Sequence, residues 1–409
     1  MMKKLIFLIV PMFIYADSLK SILEYATKNS DIVISKELNQ KAKEVEVDSK
    51  ESAYFPTIDL GAMYNTSEER TQMQAGDIYS GFAKISFDIY DGGKKSAQLK
   101  KSEHEFKASG FETESTKKSL SLQIVEDFYN IKSFESALAS REEAKKSLYE
   151  QLQRMMQFVI AKVATSDDVD RLQAAYDTNV YEMESLKFKI ISLKRALELK
   201  VGRGIDSLDD SKFKEFEMSE LELTDNIKAL MANKDALISS ADSLSSIYYP
   251  QIKIEDTYSI YGYDRYDTSH PKGLDNQNKL MLSLNLRLFD MGSASKSKES
   301  ILINSQALNT QLSYSKKEQY MFYDLALEAI EIGKVKINSA KSALVSAQSA
   351  FKTISKKYDA GIVDNIVYLD ALTSQTEAKA LYERAVNDLE IAYASYYYYA
   401  GKNIEEFLR

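Results

Sequence analysis

Asp167 and Asp170 stand three positions apart in a stretch of helical character, which puts both carboxylates on one face, a turn apart. Asp370 sits in a similar stretch of the second half of the chain. Carboxylates gathered around a narrow opening attract cations and repel anions. Thr165-Ser166-Asp167-Asp168 also reads as a helix start, so Asp167 and Asp168 have an alternative use as caps. Little other chemistry is on offer. Cysteine is absent, which removes thiol nucleophiles, thiolate metal sites, disulfides and a lipid-modified N-terminal cysteine. His104 and His270 lie far apart, the first in a charged helical stretch and the second in a polar loop. No glycine-rich phosphate loop, metal-ligand cluster or nucleophile beside a base occurs. The sequence implies no enzyme, no cofactor and no metal.

The elements that must hold those aspartates are very long helices. From Leu325 to Ala392 a seven-residue repeat runs through Ile330, Ile337, Leu344, Phe351 and Tyr358, with Gly333, Ala340, Ala347, Ile354 and Gly361 three positions later. Large apolar residues on one ridge and mostly small ones on the next predict a closely packed helix. The pattern stops at Asp359-Ala360-Gly361-Ile362-Val363-Asp364-Asn365 and resumes at Ala371, Ala378, Ala385 and Ala392, which predicts a tight reversal and a returning helix. A second pair is predicted from Lys94 to about Val163 and from Thr165 to Val201. At 1.5 Å per residue the first of these would be about 100 Å long. Only four prolines interrupt 409 residues, and none lies between Pro56 and Pro250 or after Pro271.

Two regions change period from helical to two. Ile58, Leu60, Ala62 and Tyr64 alternate with polar or small neighbours, and Tyr79, Gly81, Ala83, Ile85, Phe87 and Ile89 do the same. Ile252, Ile254, Tyr258 and Ile260 form a third such stretch. Leu280, Leu282, Leu284, Leu286 and Leu288 form the cleanest one and give the best lipid-facing surface. Lys84, Ser86, Asp88, Ser283, Asn285 and Arg287 then face water, and Tyr64, Tyr79, Tyr258, Tyr261 and Tyr263 suit a membrane-interface belt. Four strands cannot close a barrel, and an open sheet edge cannot sit in lipid, so several copies must pool their strands. Strand counting alone does not separate two copies from three.

The leader, 1–16, reads as a signal peptide: Lys3 and Lys4, an apolar Leu5 to Ile14, and small Ala16. Its removal takes the net charge from -8 to -10, and a secreted acidic chain is a poor fit for nucleic acid. The remainder is one unit used twice. Residues 17–223 hold a helix, a hairpin at 56–90, a long helix pair at 94–201 and an equatorial segment at 203–223. Residues 224–409 hold a helix, a hairpin at 250–289 and a helix pair at 293–400. Tyr54-Phe55-Pro56 corresponds to Tyr249-Pro250, and Asp91-Gly92-Gly93 to Asp290-Met291-Gly292. Phe158 to Val163 aligns with Tyr358 to Val363, and Val169-Asp170-Arg171-Leu172 with Leu369-Asp370-Ala371-Leu372.

These motifs, in this order and twice over, resemble the TolC-like outer-membrane efflux and secretion factors. The resemblance implies a mainly α chain with membrane β: a periplasmic α-barrel of coiled-coil helices, joined to a twelve-stranded outer-membrane barrel with four strands from each chain of a homotrimer. It implies a passive exit duct of a tripartite efflux or type I secretion system. Its partners would be outer-membrane lipid, a periplasmic adaptor and an inner-membrane transporter, and its place the outer membrane of a Gram-negative bacterium, extending into the periplasm. Tyr358 aligns with a tyrosine of the closing links, and Asp370 with one of two ring aspartates. Val367 and Val363 replace the other aspartate and an arginine of that turn, and Asp167 with Asp170 offer an acidic pair in the first repeat. Ala360, Gly361 and Ile362 resemble the tip where adaptor hairpins dock. A different class stays open on the residues alone: a secreted periplasmic coiled-coil structural or adaptor protein with soluble β-domains.

Overall fold

The computed structural model describes residues 18–69, 75–214, 216–218, 220–265 and 273–409. The leader, His270 and Pro271 lie outside them. Helices α1 (Leu19–Asn29) and α2 (Asp31–Ser52) part at Ser30, and the Ser18 hydroxyl caps α1 by accepting from the Ser21 N–H. Strands β1 (Thr57–Thr66) and β2 (Asp77–Tyr90) follow, then α3 (Lys94–Ile160) and α4 (Ser166–Val201). The second half repeats the order with α5 (Asp225–Ser245), β3 (Gln251–Asp264), β4 (Asn276–Asn285), α6 (Ser293–Asp359) and α7 (Asn365–Tyr399).

Helices α3 and α6 are each 67 residues long, and their boundaries are set by matching devices. Asp91 accepts from the N–H groups of Gly93 and Lys95, and Asp290 accepts from those of Gly292 and Ala294. This gives the Asp-X-Gly motifs their physical role: a carboxylate satisfies the first orphan donors of a long helix. Left-handed residues end the helices at Lys162 and Gly361, and at Gly202 and Gly401. Every one of these pairs is 199 positions apart, as are the N-caps Thr165 and Asp364. The repeat register at the helix reversals is therefore one residue tighter than similarity of Leu-Asp-X-Leu implied. Tyr358 corresponds to Val159, and Asp370 to Arg171.

The chain divides into two compact units. The first comprises 18–37, 113–225 and 315–409. Its core joins Leu19, Ile22 and Leu23 of α1 to Ile124, Phe128 and Ile131 of α3, Leu197 and Val201 of α4, and Tyr396 and Tyr397 of α7. The two ridges predicted on α6 face inward: Ile330 and Ala340 are buried, as are Ala371, Ala385 and Ala392 on α7. Gly333 lets the helices close up, since a methyl there would stand 3.0 Å from Leu389 Cδ1.

The equatorial segment and the C-terminus close over this core. Phe213 forms a β-bridge with Leu408, the Arg409 N–H donates to the Lys212 carbonyl, and the Phe407 ring lies flat on Tyr397 at 3.7 Å. Gln319 donates to the carbonyls of Glu222 and Tyr399, and Lys118 pairs with Asp225 at 2.7 Å while donating to the Gly401 carbonyl.

The second unit comprises 38–112 and 226–314 and carries the sheet. Its order is β1-β2-β3-β4, antiparallel throughout, with β1 and β4 as edges. Strand β4 ends at Asn285, so Leu286 and Leu288 lie past it. Its partner β3 begins at Gln251, directly after Pro250, whose nitrogen has no hydrogen to donate to a ladder.

Two of the left-handed glycines at the helix ends, both in the second repeat, make different demands. Gly401 has φ +81°, and a Cβ there would meet the Glu222 carbonyl oxygen at 2.8 Å; Gly361 has φ +72° and open space around it. Gly361→Ala should cost about 1–2 kcal/mol through backbone strain alone, and Gly401→Ala should cost clearly more. Thermal melts followed by far-UV circular dichroism check this. Equal losses would mean that the Glu222 carbonyl gives way freely.

Candidate pore wall and entrance

In a period-two strand, register decides which side chains share a surface. Ile58 pairs with Ile85 and Leu60 with Ala83, while Ile254 joins Phe87 to Leu282, and Ile252 pairs with Leu284. One face of the sheet is therefore apolar across all four strands. Asp256, between Ile85 and Leu280, is the charged exception in its middle. The opposite face carries Asp59, Lys84, Ser86, Lys253, Glu255 and Ser283. Lys84 lies 3.9 Å from both Asp59 and Glu255, Lys253 pairs with Glu255 at 2.9 Å, and the Ser86 hydroxyl donates to Glu255.

Burial is inverted relative to a water-soluble sheet. Leu60 is 82 % exposed and Leu280 and Leu282 nearly 70 %, whereas Ser86 on the polar face is 7 % exposed. Leu286 and Leu288, beyond the ladder, are exposed as well. The tyrosines divide between the faces. Tyr64, Tyr79 and Tyr258 lie on the apolar face, the first two with ring centroids 5.0 Å apart. Tyr261 and Tyr263 lie on the polar face, in register with Ser80 and Ile78, so they are not part of an interface belt. Their odd numbers, against the even-numbered apolar Ile252, Ile254, Tyr258 and Ile260, carried that information already.

At the helix reversals, in the first unit, the sequence-predicted residues have separate fates. Asp370 is exposed, with no ion pair among the described residues. Asp170 is exposed too. Asp167 is exposed, lies 4.0 Å from Arg171, and has its carboxyl held below the usual range, first by the Thr165 hydroxyl and then by its own backbone N–H and Arg171. Asp168 is occupied: it accepts from the Thr165 hydroxyl at 2.9 Å and from the Asn365 amide at 3.1 Å, tying the start of α4 to the start of α7. A second tie, Arg154 to Asp359 at 2.5 Å, joins the ends of α3 and α6. Neither tie is visible in a linear sequence, since both join residues about two hundred positions apart.

Tyr358 is half-buried inside the tip and stacks on Tyr368 at 4.7 Å. Burial raises both phenols, Tyr368 to about 12. Ala360, Gly361 and Ile362 are all exposed at the end of α6, where the Ile362 N–H reaches back to the Lys357 carbonyl and the Gly361 N–H to Tyr358. The first repeat makes the same closure with Lys162, at φ 60°, in the glycine's place.

An exposed apolar sheet face and a sheltered polar one are what the wall of a membrane barrel requires, and the reverse of a water-soluble β-domain. The model of the outer membrane efflux protein family matches residues 23–182. Outer membrane protein TolC of Salmonella enteritidis is 20% identical over 404 residues, covering 93% of this chain and 82% of that one. Among solved structures, a membrane protein from Pseudomonas aeruginosa superposes with a TM-score of 0.83 at 14% identity, over 94% of this chain and 93% of the other. The Campylobacter jejuni CmeC outer membrane channel gives 0.82 at 14% identity, over 94% and 85%. The chain is similar in sequence and fold to the TolC-like outer-membrane efflux factors. Those relatives are named as outer membrane proteins and channels.

The buried tyrosine stack gives a test by pH. Tyr368 ionises near 10 in the unfolded chain and near 12 in the fold. Between those values the unfolded state holds fewer protons, so stability falls as pH rises from 10 to 12. Tyr368→Phe should remove part of that fall and leave the melt at pH 7 little changed. Denaturant titrations at pH 8, 10 and 11.5 read the difference; parallel losses in both proteins would place Tyr368 in contact with water.

Proposed function

We propose that three copies of this chain pool their sheets into one twelve-stranded barrel, with β4 of each copy paired to β1 of the next. The resulting duct is passive and serves as the exit of a tripartite efflux or type I secretion system. The observation that carries this reading is the inverted sheet: apolar outside, polar within, and open at both edges. Lipid offers no partner to the unpaired backbone groups of β1 and β4, so closure by further copies satisfies them. Three rather than two copies follows from the resemblance to TolC-like factors. A secreted coiled-coil protein with soluble β-domains would leave Ile58, Leu60, Leu280, Leu282 and Leu284 uncovered in water.

The helix reversals form the periplasmic entrance on this reading. Asp370 supplies the acidic ring: it is exposed with no ion pair among the described residues, while Asp167 is partly neutralised by Arg171. Asp170 lies one turn from Asp167 and adds to the field on the α4 side. Tyr358 acts as packing for the closed tip, with the Arg154–Asp359 and Asn365–Asp168 ties holding the two repeats together there. A periplasmic adaptor docks at Ala360, Gly361 and Ile362, an exposed end with a bare backbone at Gly361, and links the duct to an inner-membrane transporter.

Two variants test the two halves of the reading. Leu284→Arg places a cation on the lipid face at a cost of up to about 2–4 kcal/mol per copy, so membrane insertion should fail; full insertion, read as channel activity in a planar bilayer, counts against the barrel. Asp370→Asn should lower cation preference, measured as the reversal potential under a potassium chloride gradient. An unchanged potential removes Asp370 from the ring.

A further inference from the structure

The polar face of the sheet has aromatic residues at its hairpin-loop end. Met63, Ser80 and Tyr261 share one rung, and Asn65, Ile78 and Tyr263 the next rung toward the loops. The Tyr261 and Tyr263 rings stack at 6.3 Å with planes 21° apart. One rung in the other direction, Phe82 lies across Gly61: a Cβ on that glycine would stand 2.4 Å from the ring. Tyr263 is fixed further, since its hydroxyl donates to the Leu274 carbonyl at 3.0 Å and its ring covers Gly273. Aromatic girdles of membrane barrels belong on the lipid side, where ring and headgroup meet. A stacked pair on the other face has no lipid to serve.

The charges on the same face narrow what these rings can do. Lys84 stands between Asp59 and Glu255, and Lys253 pairs with Glu255, so the charged rungs are close to balanced. They give a passing ion little net attraction. The next surface it meets is aromatic, and a ring face attracts a cation, most of all one whose charge is carried on apolar groups and is weakly hydrated.

We propose that Phe82, Tyr261 and Tyr263 form an aromatic collar on the pore side of the barrel, near its hairpin-loop end, that binds organic ammonium ions. The collar rests on the reading of this face as a pore wall. In a closed barrel of three copies it presents six tyrosine rings and three phenylalanine rings around the lumen. It favours cations with an apolar body over small inorganic ions and over anions.

Block of potassium current through the full-length channel in a planar bilayer tests it, with tetrabutylammonium and tetramethylammonium as probes. Wild-type channels should be blocked at lower concentration by the tetrabutyl ion. Tyr261→Leu with Tyr263→Leu keeps apolar bulk but loses the rings, and should raise the half-blocking concentration about tenfold. Tyr261→Phe with Tyr263→Phe keeps the rings and should keep the block. Each single leucine variant should show about a threefold rise, which answers the question if the double variant does not insert. Block that is unchanged in the leucine variants, or lost in the phenylalanine variant, overturns the collar while leaving the channel standing. A wild-type chain that never conducts overturns the channel reading and the collar with it.

Discussion

The sheet cannot be satisfied within one chain, and the rest of the structure follows from that constraint. Four antiparallel strands leave the edges β1 and β4 with unpaired N–H and C=O groups, and the face that joins them is apolar and exposed. In water the apolar face is a liability; in lipid the edges are. The proposed closure on further copies resolves both at once. The hairpins meet the same demand locally. Charge on the sheltered face is matched, Lys84 and Lys253 against Asp59 and Glu255, so a closed barrel would enclose a polar but nearly neutral wall. Asp256 stands out against this, a carboxylate among Ile85, Ile254 and Leu280 with one buried oxygen unpartnered among the described residues.

The helices answer a different demand, which is to keep two repeats in step over a great length. Two helices of 67 residues begin at an aspartate cap and end at a left-handed residue, and the constant spacing of 199 shows that neither insertion nor deletion separates them. A heptad of large residues beside one of small residues keeps the helices close without fixing their register along the axis. Register comes instead from the ends. At one end Asp168 meets Asn365 and Arg154 meets Asp359. In the middle, the aromatic seal of Tyr397 and Phe407 with the Phe213–Leu408 bridge gathers α1, α3, α4 and α7 around one core.

Local periodicity made most of this legible in the sequence. Strand faces, the capping role of Thr165 and Asp168 and the inward ridges of α6 all depend on spacings of two, three, four or seven, which a linear reading captures. Its errors share one cause, which is that a partner far away in sequence decides the outcome. Leucine alternation runs on through Leu288, but the ladder stops at Asn285 because β3 starts only after Pro250. Similarity of Leu-Asp-X-Leu set the tip register one residue off, because capping geometry and not residue likeness determines it. The ties at Arg154 and Asn365, and the seal at Phe407, join residues that are unremarkable alone. Tyr261 and Tyr263 are the exception, since parity alone assigned them to the polar face.

The corrected register bears on symmetry at the entrance. In the proposed duct, two repeats in each of three copies would suggest six equivalent helix pairs, and with them six equivalent carboxylates. The caps rule this out: Arg171 occupies in the first repeat the place that Asp370 holds in the second, and Lys162 the place of Gly361. Tyr358 and Tyr368 give the second tip an aromatic interior, and the first-repeat counterpart of Tyr358 is Val159. In the proposed duct of three copies, an acidic ring built from Asp370 would be threefold, with a basic side chain at the matching place on each intervening hairpin. Cation attraction and adaptor contact would both concentrate on the second repeat, and the first would serve chiefly to hold it, through Arg154 and Asp168. Two halves alike in length would thus divide the labour unequally in the proposed duct, with the chemistry at one tip and the scaffold at the other.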